Sequence, residues 1–271
     1  MGSLDSRFRN YYGYGVEKDR LLKGSSKLEF YRTKRILSRY LPKKPATILD
    51  IGGATGRYSR WLAEMGHSVH LVDALPLHVR QARQADKASK RPIASIRQGD
   101  ARSLDFEDKI ADIVLLFGPM YHLIGKRERL KALSEASRVL KPGGLVFAAG
   151  ITRYASILDG TLRGFVQDPT FRKVVEQDLR NGQHRNPTGN PRYFTTAFFH
   201  HPDELEAEIR QAGFKSVRVY AIESFLWLMP RFEQIWNNSK LQTWMMKILD
   251  KIETDPSLKG LGDHLLGVGR K

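Results

Sequence analysis

Apolar and polar positions along this chain follow two different periods, and the alternation between them predicts most of the architecture. Ile48, Leu49 and Ile51 form a short apolar run that reads as a buried strand. Gly52, Gly53 and Gly56 then force a tight turn into a helix, where Tyr58, Trp61, Leu62 and Met65 recur at intervals of three and four and Gly66 supplies the stop. The alternation continues with a strand at Ser68–Val72 closing on Asp73, a helix through Gln81–Lys90 and a strand at Ile93–Arg97. A fourth strand spans Ala111–Phe117, a helix over Lys126–Leu140 buries Leu130, Leu133 and Leu140, and the turn Lys141-Pro142-Gly143-Gly144 opens a fifth strand at Leu145–Ala149. Strands alternating with helices in this way predict a parallel, doubly wound sheet.

The flanks of that core carry different patterns. Residues 4–15 are an aromatic, glycine-containing arm with Phe8, Tyr11, Tyr12 and Tyr14; Ser26–Leu41 has helical spacing and Pro42 ends it. Beyond Gly150 we expect one short helix around Ser156–Phe165 and another capped by Asp168 and stopped at Asn181-Gly182. Gln183–Pro191 has no period and leads into Tyr193, Phe194, Phe198 and Phe199; a loop this long in a compact domain is usually a lid or a binding loop. The sheet resumes with a helix at Pro202–Ala212, a strand at Ser216–Ile222 and a final strand at His264–Gly269. Within residues 223–262 a helix at Leu241–Ile252 aligns Leu241, Trp244, Met245, Ile248, Leu249 and Ile252 on one face. We read that stripe as core, with a dimer contact as the alternative, so the chain is expected to be a monomer or a homodimer.

Composition narrows the function classes. With 271 residues and 41% apolar composition the chain can bury one substantial core. There is no cysteine, which excludes disulfides, thiolate zinc sites and cysteine nucleophiles. No segment approaches a membrane span and the first twenty-five residues lack the apolar run of a secretory signal, so a cytoplasmic protein with no membrane partner is expected. The net charge is +16, and residues 1–45 set twelve bases against four acids, which is half of the excess; residues 201–271 balance ten against ten. A solvated basic helix face is the simpler account of that N-terminal excess, and an RNA surface is the alternative.

The motifs, taken together, resemble class I S-adenosylmethionine-dependent methyltransferases. The resemblance rests on Asp50-x-Gly52-x-Ala54-x-Gly56 at the first turn, an acid ending the second strand, Gly99-Asp100-Ala101 after the third and Lys-Pro-Gly-Gly before the fifth. It covers most of residues 46–222 and the final strand, and it departs from the family pattern at Ala54, where glycine is usual. A dinucleotide-binding fold is the structural rival, but its pyrophosphate would be repelled by Asp50, whereas a cofactor carrying ammonium and sulfonium groups is attracted by it. The fold implied is an α/β, doubly wound, Rossmann-like sheet of seven strands with helices on both faces, the last strand antiparallel and an insertion after the fifth strand. Residues 1–45 would then be an N-terminal arm and helix, 46–150 the cofactor-binding core, 151–201 an insertion over the substrate, and 202–271 the rest of the sheet with a helical insertion at 223–262.

The resemblance implies S-adenosylmethionine as cofactor, S-adenosylhomocysteine as product and no metal. Gly52, Gly53, Ala54 and Gly56 would cradle the methionine end beside Asp50, Asp73 and Ala74 would face the ribose, and Asp100 and Ala101 the adenine. Phe117 and Gly118 would flank the cofactor from the fourth strand, and Tyr12 from the arm. His122 is the candidate base because its unperturbed pKa lies near neutrality, with Tyr121 beside it; a structural histidine bonded to backbone is the alternative. His70 and His78 have weaker claims, and His200-His201 lacks metal-ligand spacing. Gly118-Pro119-Met120-Tyr121 lacks the amine-holding side chain of amino-methylating DNA enzymes, and without cysteine the covalent route of pyrimidine-C5 enzymes is closed. A small-molecule acceptor is therefore expected, lined by Tyr11, Arg153, His184, Arg185, Asn186 and Tyr193, with an RNA methyltransferase as the runner-up.

Overall fold

Each buried apolar run becomes a strand in the computed structural model, which describes residues 11, 12 and 19–271. Helix α1 (Ser26–Ser38) precedes β1 (Thr47–Ile51), α2 (Arg57–Glu64), β2 (Ser68–Asp73), α3 (Pro76–Asp86), β3 (Ser95–Gln98) and β4 (Ala111–Leu116). A single turn, α4 (Pro119–His122), leads to α5 (Lys126–Val139) and the long β5 (Leu140–Thr152). There follow α6 (Ala155–Leu162), α7 (Pro169–Asn181), β6 (Gln183–His184), β7 (Ala197–His200), α8 (Pro202–Gln211), β8 (Lys215–Ala221), α9 (Phe232–Trp236), α10 (Ser239–Ile252) and β9 (His264–Arg270). The sheet has nine strands, two more than expected, because β6 and β7 form where the sequence shows an aperiodic loop and an aromatic run. Among the described residues no helix is long and apolar enough to cross a membrane.

The chain divides into two compact units. The first comprises Tyr40–Ala149, Leu205–Arg218 and Gly267–Lys271. In it β3, β2, β1, β4 and β5 lie side by side, all parallel, with Ile48 opposite Val69 on one side and Ile113 on the other. β1 is central, and Ile48, Leu49 and Asp50 are fully buried. The last strand is antiparallel, and Lys271 exchanges backbone hydrogen bonds with Gly143 and Gly144. That pairing explains why Lys141–Gly144, expected as a turn, belongs to β5: Gly143 takes a φ of +79° and the register against β4 shifts between Ala111 and Ile113.

Helix α5 buries Leu133, and Leu140 follows it into the core, as expected. Leu130 is half-buried, and its neighbour Arg129 is 1% exposed. The Arg129 guanidinium donates from Nε to Glu208 Oε2 at 2.9 Å, from Nη2 to Glu208 Oε1 at 2.6 Å, and from Nη1 to the Leu123 and Ile124 carbonyls. A buried cation is tolerated because a bidentate carboxylate and two carbonyls replace its water.

The second unit comprises the described residues up to Arg39, with Gly150–Glu204 and Val219–Leu266. α1 ends at Ser38 rather than Leu41, as the restriction that Pro42 places on its preceding residue would favour. Asp168 caps α7 as expected, its side chain accepting from the Thr170 amide at 2.7 Å. β7 pairs in parallel with the end of β5 and antiparallel with β6. The face of α10 that packs inward is Met245, Met246 and Leu249; Leu241 and Trp244 are 44% and 53% exposed, which corrects their assignment to the core.

The arginines of α1 are paired with acids of α10, and Arg35 and Arg39 stay partly in solvent. Arg32 is fully buried and donates to Asp250 at 2.7 Å, to Glu253 at 2.6 Å and to the Ile222 carbonyl; Arg35 and Arg39 close on the same two acids of α10. The hydrogen bonds from Arg35, with Arg32 beside it, hold the Asp250 carboxyl well below its usual range. A second cluster sets Glu29, bonded to Arg20, against Glu223 and His264, with His264 Nδ1 2.8 Å from Glu223 Oε1. Burial alone would depress the His264 pKa, but the charges of Glu29 and Glu223 outweigh it and raise it to about 9.

Two stability measurements follow. Arg129→Ala, which leaves Glu208 buried and unpaired, is expected to lower unfolding free energy in urea by about 3–5 kcal/mol. His264 binds its proton more tightly folded than unfolded, so its contribution is complete below about pH 6.5 and is lost as pH rises through about 9. The urea midpoint should fall across that window, and His264→Gln should flatten the fall.

Candidate active site

The site of interest in the first unit forms where β1 turns into α2. The Gly52 and Gly53 amides both donate to the Val72 carbonyl at the end of β2, at 2.7 and 3.3 Å, which bends the chain across the strand ends. Gly52 has a φ of +77°, and a Cβ there would lie 2.6 Å from Pro119 Cδ. A Cβ on Gly53 would lie 2.7 Å from Asp50 Oδ2. Two glycines are thus dictated by close approach, one to α4 and the other to the carboxylate that precedes it. Ala54 also takes a left-handed conformation, with φ +48°, at the position where the family places glycine. Its amide donates to Asp73 Oδ2 at 2.9 Å, an interaction that offsets the backbone cost.

Three carboxylates follow three successive strands and differ in environment. Asp50 is fully buried; Ser59 on the first turns of α2 donates to its Oδ2 at 2.5 Å, and its Oδ1 has no protein partner. Burial pushes the Asp50 carboxyl up to about 6, with the Ser59 hydrogen bond opposing and the Asp73 charge adding. Asp73 accepts from Ala54 on one oxygen, and on the other from the Leu75 amide at 2.9 Å and His78 Nδ1 at 3.1 Å. Asp100 is gripped by Arg102, from Nε at 3.0 and 3.1 Å, from Nη2 at 2.6 Å and from the backbone amide at 2.9 Å. Those hydrogen bonds hold its carboxyl below the ordinary value, and Arg102 continues to Glu128 on α5. Ala74 is half-buried and Ala101 buried beside their acids.

The end of β4 supplies the opposite wall. Phe117 meets Tyr58 of α2 edge to face at 5.0 Å, and Gly118 comes so close to the Gly52 carbonyl that a Cβ would sit 3.3 Å from it. α4 then places Met120 in the core and leaves Tyr121 and His122 half-buried, their rings 4.5 Å apart. Ser59 and Arg102 were not singled out for this site from the sequence, and His78, given a weaker claim as a base, is bonded to Asp73. Only Arg102 leaves a local trace, two residues beyond Asp100.

The remaining candidates lie in the second unit. Tyr11 packs edge-on against Tyr12 and against Phe194, at 5.1 and 5.4 Å, and Tyr12 is buried. His184 is buried, with Nδ1 2.8 Å from Asp178, Nε2 2.7 Å from the Tyr193 carbonyl and its ring stacked on Phe199. Asn186 donates to the Asn190 and Phe194 carbonyls, Tyr193 donates to Asp168 at 2.7 Å, and Arg153 donates to the Phe199 carbonyl and to Glu204. Arg185 is exposed and reaches Gln183. The unit therefore joins Tyr11 and Tyr12 to the 183–200 segment, and most of the polar candidates there hold that segment together.

Residues 48–144 match the family model of a methyltransferase domain. Over 184 residues the chain is 30% identical to the ubiquinone/menaquinone biosynthesis C-methyltransferase UbiE of Acidiphilium cryptum, a match covering 65% of this chain and 69% of that protein. The chain belongs to the class I S-adenosylmethionine-dependent methyltransferases. It is also 30% identical over 195 residues to the malonyl-[acyl-carrier protein] O-methyltransferase of Geobacter sulfurreducens, covering 69% of this chain and 64% of that one. The matches thus span about two thirds of these relatives' lengths. In fold it is similar to a SAM-dependent methyltransferase from Methanosarcina mazei, with a TM-score of 0.58 and 20% identity over 87% of this chain and 96% of that one. It is similar, too, to phosphoethanolamine N-methyltransferase 2 of Haemonchus contortus, solved with S-adenosyl-L-methionine, at a TM-score of 0.56 and 19% identity over 89% of this chain and 52% of that one.

The cofactor of this methyltransferase is S-adenosylmethionine, which when bound supplies a methyl group on a positively charged sulfur. The residues present fit it: Asp50 Oδ1 is a buried acceptor without a protein partner, and the protein places net negative charge there. A cation beside Asp50 favours its ionised form, so cofactor affinity is expected to rise with pH through about 6 and to flatten above it. Calorimetric titration of S-adenosylhomocysteine, whose ammonium group is retained, between pH 5 and 8 checks this. In Asp50→Asn the step should vanish, and a step that persists would assign it to another group.

Proposed function

We propose that this methyltransferase acts on a small-molecule acceptor. One observation supports the choice over RNA: Arg32, Arg35 and Arg39 of α1, counted in the sequence among the N-terminal bases, have their charge met by Asp250 and Glu253. The two named relatives support it, one a C-methyltransferase of ubiquinone/menaquinone biosynthesis, the other an O-methyltransferase of malonyl-[acyl-carrier protein].

In this reading Gly52, Gly53, Ala54 and Gly56 shape the turn for the methionine end, with Asp50 countering its positive charge. Asp73 accepts from the ribose hydroxyls through lone pairs left after its amide bonds, with Ala74 alongside, and Asp100 and Ala101 face the adenine. Phe117 and Gly118 wall the cofactor. Methyl transfer is an in-line displacement, so these residues act mainly by alignment and exclusion of water. A carbon or oxygen acceptor brings a proton, which His122 takes, with Tyr121 packed on its ring. In the second unit Arg153, His184, Asn186 and Tyr193 keep the 183–200 segment in shape, and Tyr11 of the arm and Arg185 of the insertion are the candidates for acceptor selection.

Asp73→Ala is expected to weaken S-adenosylhomocysteine binding about ten-fold or more, since hydrogen bonds to a charged acceptor are lost. With an acceptor identified by screening quinol, phenol and carboxylate compounds, His122→Ala should lower turnover about 10²–10⁴-fold while leaving cofactor affinity unchanged. Unchanged turnover would remove His122 from the mechanism. Methyl incorporation into tRNA or rRNA, with steeply salt-dependent binding, would replace the small-molecule reading with the RNA one.

A further inference from the structure

The exposed side of α10 carries a pattern that methyl transfer does not use. At about 100° per residue, Lys240, Trp244, Lys247 and Lys251 fall within roughly 60° of one another around the helix, with Leu241 and Ile248 on the adjoining shoulder. All three lysines are exposed, Trp244 is 53% exposed and Leu241 44% exposed. The opposite side is anchored by Met245, Met246 and Leu249 in the core, so the helix cannot turn this face inward. The helix's only acid, Asp250, together with Glu253 just beyond its end, is held by Arg32, Arg35 and Arg39 of α1. The three lysines have no acidic partner among the described residues. The segregation of charge is therefore built in: acids are drawn toward α1, and the outer face keeps only cations and apolar groups.

We propose that this face of α10 docks on an anionic lipid surface. A tryptophan and a leucine offer an apolar body of the depth of the headgroup region, and lysines snorkel from the same face toward phosphates. Lying on a membrane is a different physical case from crossing one, and it asks for no long apolar helix. A second copy of the chain is disfavoured, because a symmetric contact would oppose lysines to lysines. A folded protein partner is disfavoured by composition: protein interfaces are depleted in lysine and enriched in arginine, and every cation on this face is lysine. The inference is independent of the acceptor and of the cofactor residues.

The test is co-sedimentation of the full-length protein with phosphatidylcholine vesicles and with vesicles in which about a third of the lipid is phosphatidylglycerol. Binding is expected only to the anionic vesicles and should weaken as salt rises. Trp244→Ala/Leu241→Ala, and separately Lys240→Glu/Lys247→Glu/Lys251→Glu, should each cut the partition constant about ten-fold or more. Both variants should bind S-adenosylhomocysteine and melt as the wild type does, which separates a lost surface from a lost fold. Equal partition into both vesicle types, or variants that bind as wild type, would overturn the proposal. So would a concentration-dependent dimer in light scattering that Trp244→Ala abolishes.

Discussion

Everything around the cofactor turn is arranged about a carboxylate buried at the end of the central strand. Asp50 stands on β1, which has a parallel neighbour on each side, so water cannot reach it. Its oxygen lies where a side chain at Gly53 would go, which obliges the chain to turn without one. Ser59 must then sit on the first turns of α2 to donate to it, which sets how that helix leaves the turn. Asp73, close enough for its charge to raise the Asp50 pKa, is tied by the Ala54 amide to the same turn. A buried carboxylate with one unpartnered oxygen is electrostatically costly, and a positive charge beside it would relieve the cost. That single constraint links fold, cofactor charge and pH response.

Much of this was legible because it is local. Glycines and an acid within seven residues of one another, on a strand with a β1-like apolar run, leave few alternatives, and the acids closing the next two strands add independent support. Ala54 shows where the pattern bends without breaking: its departure from glycine is accommodated by a backbone bond to Asp73, which no count of motif positions can reveal. Arg102 on Asp100 was within reach of the sequence, two residues away, but a charged neighbour in a loop is too common to interpret alone.

What could not be read is long-range pairing. Helical periodicity gives the angle of a side chain on its helix and not the identity of what lies opposite. It misplaced Leu241 and Trp244 because the packing neighbours of α10 face Met245, Met246 and Leu249. It missed Arg129 because Glu208 is 79 residues away. Residue types chosen for chemistry are also the types that satisfy buried polar backbone: His184, with both ring nitrogens engaged, and Asn186, bonded to two carbonyls, stabilise a segment whose sequence has no period.

The ion cluster between α1 and α10 bears on the order in which the chain acquires its shape. Arg32 and its acidic partners are 218 and 221 positions apart. During synthesis from the N-terminus, α1 leaves the ribosome with three arginines on a face that stays uncompensated until Asp250 and Glu253 emerge. A fully buried guanidinium cannot be housed before its counter-ions arrive, so α1 docks late. Strands β1 to β4 emerge in that interval. α1 therefore waits for residues more than two hundred positions downstream, and β9, which closes the sheet, follows them.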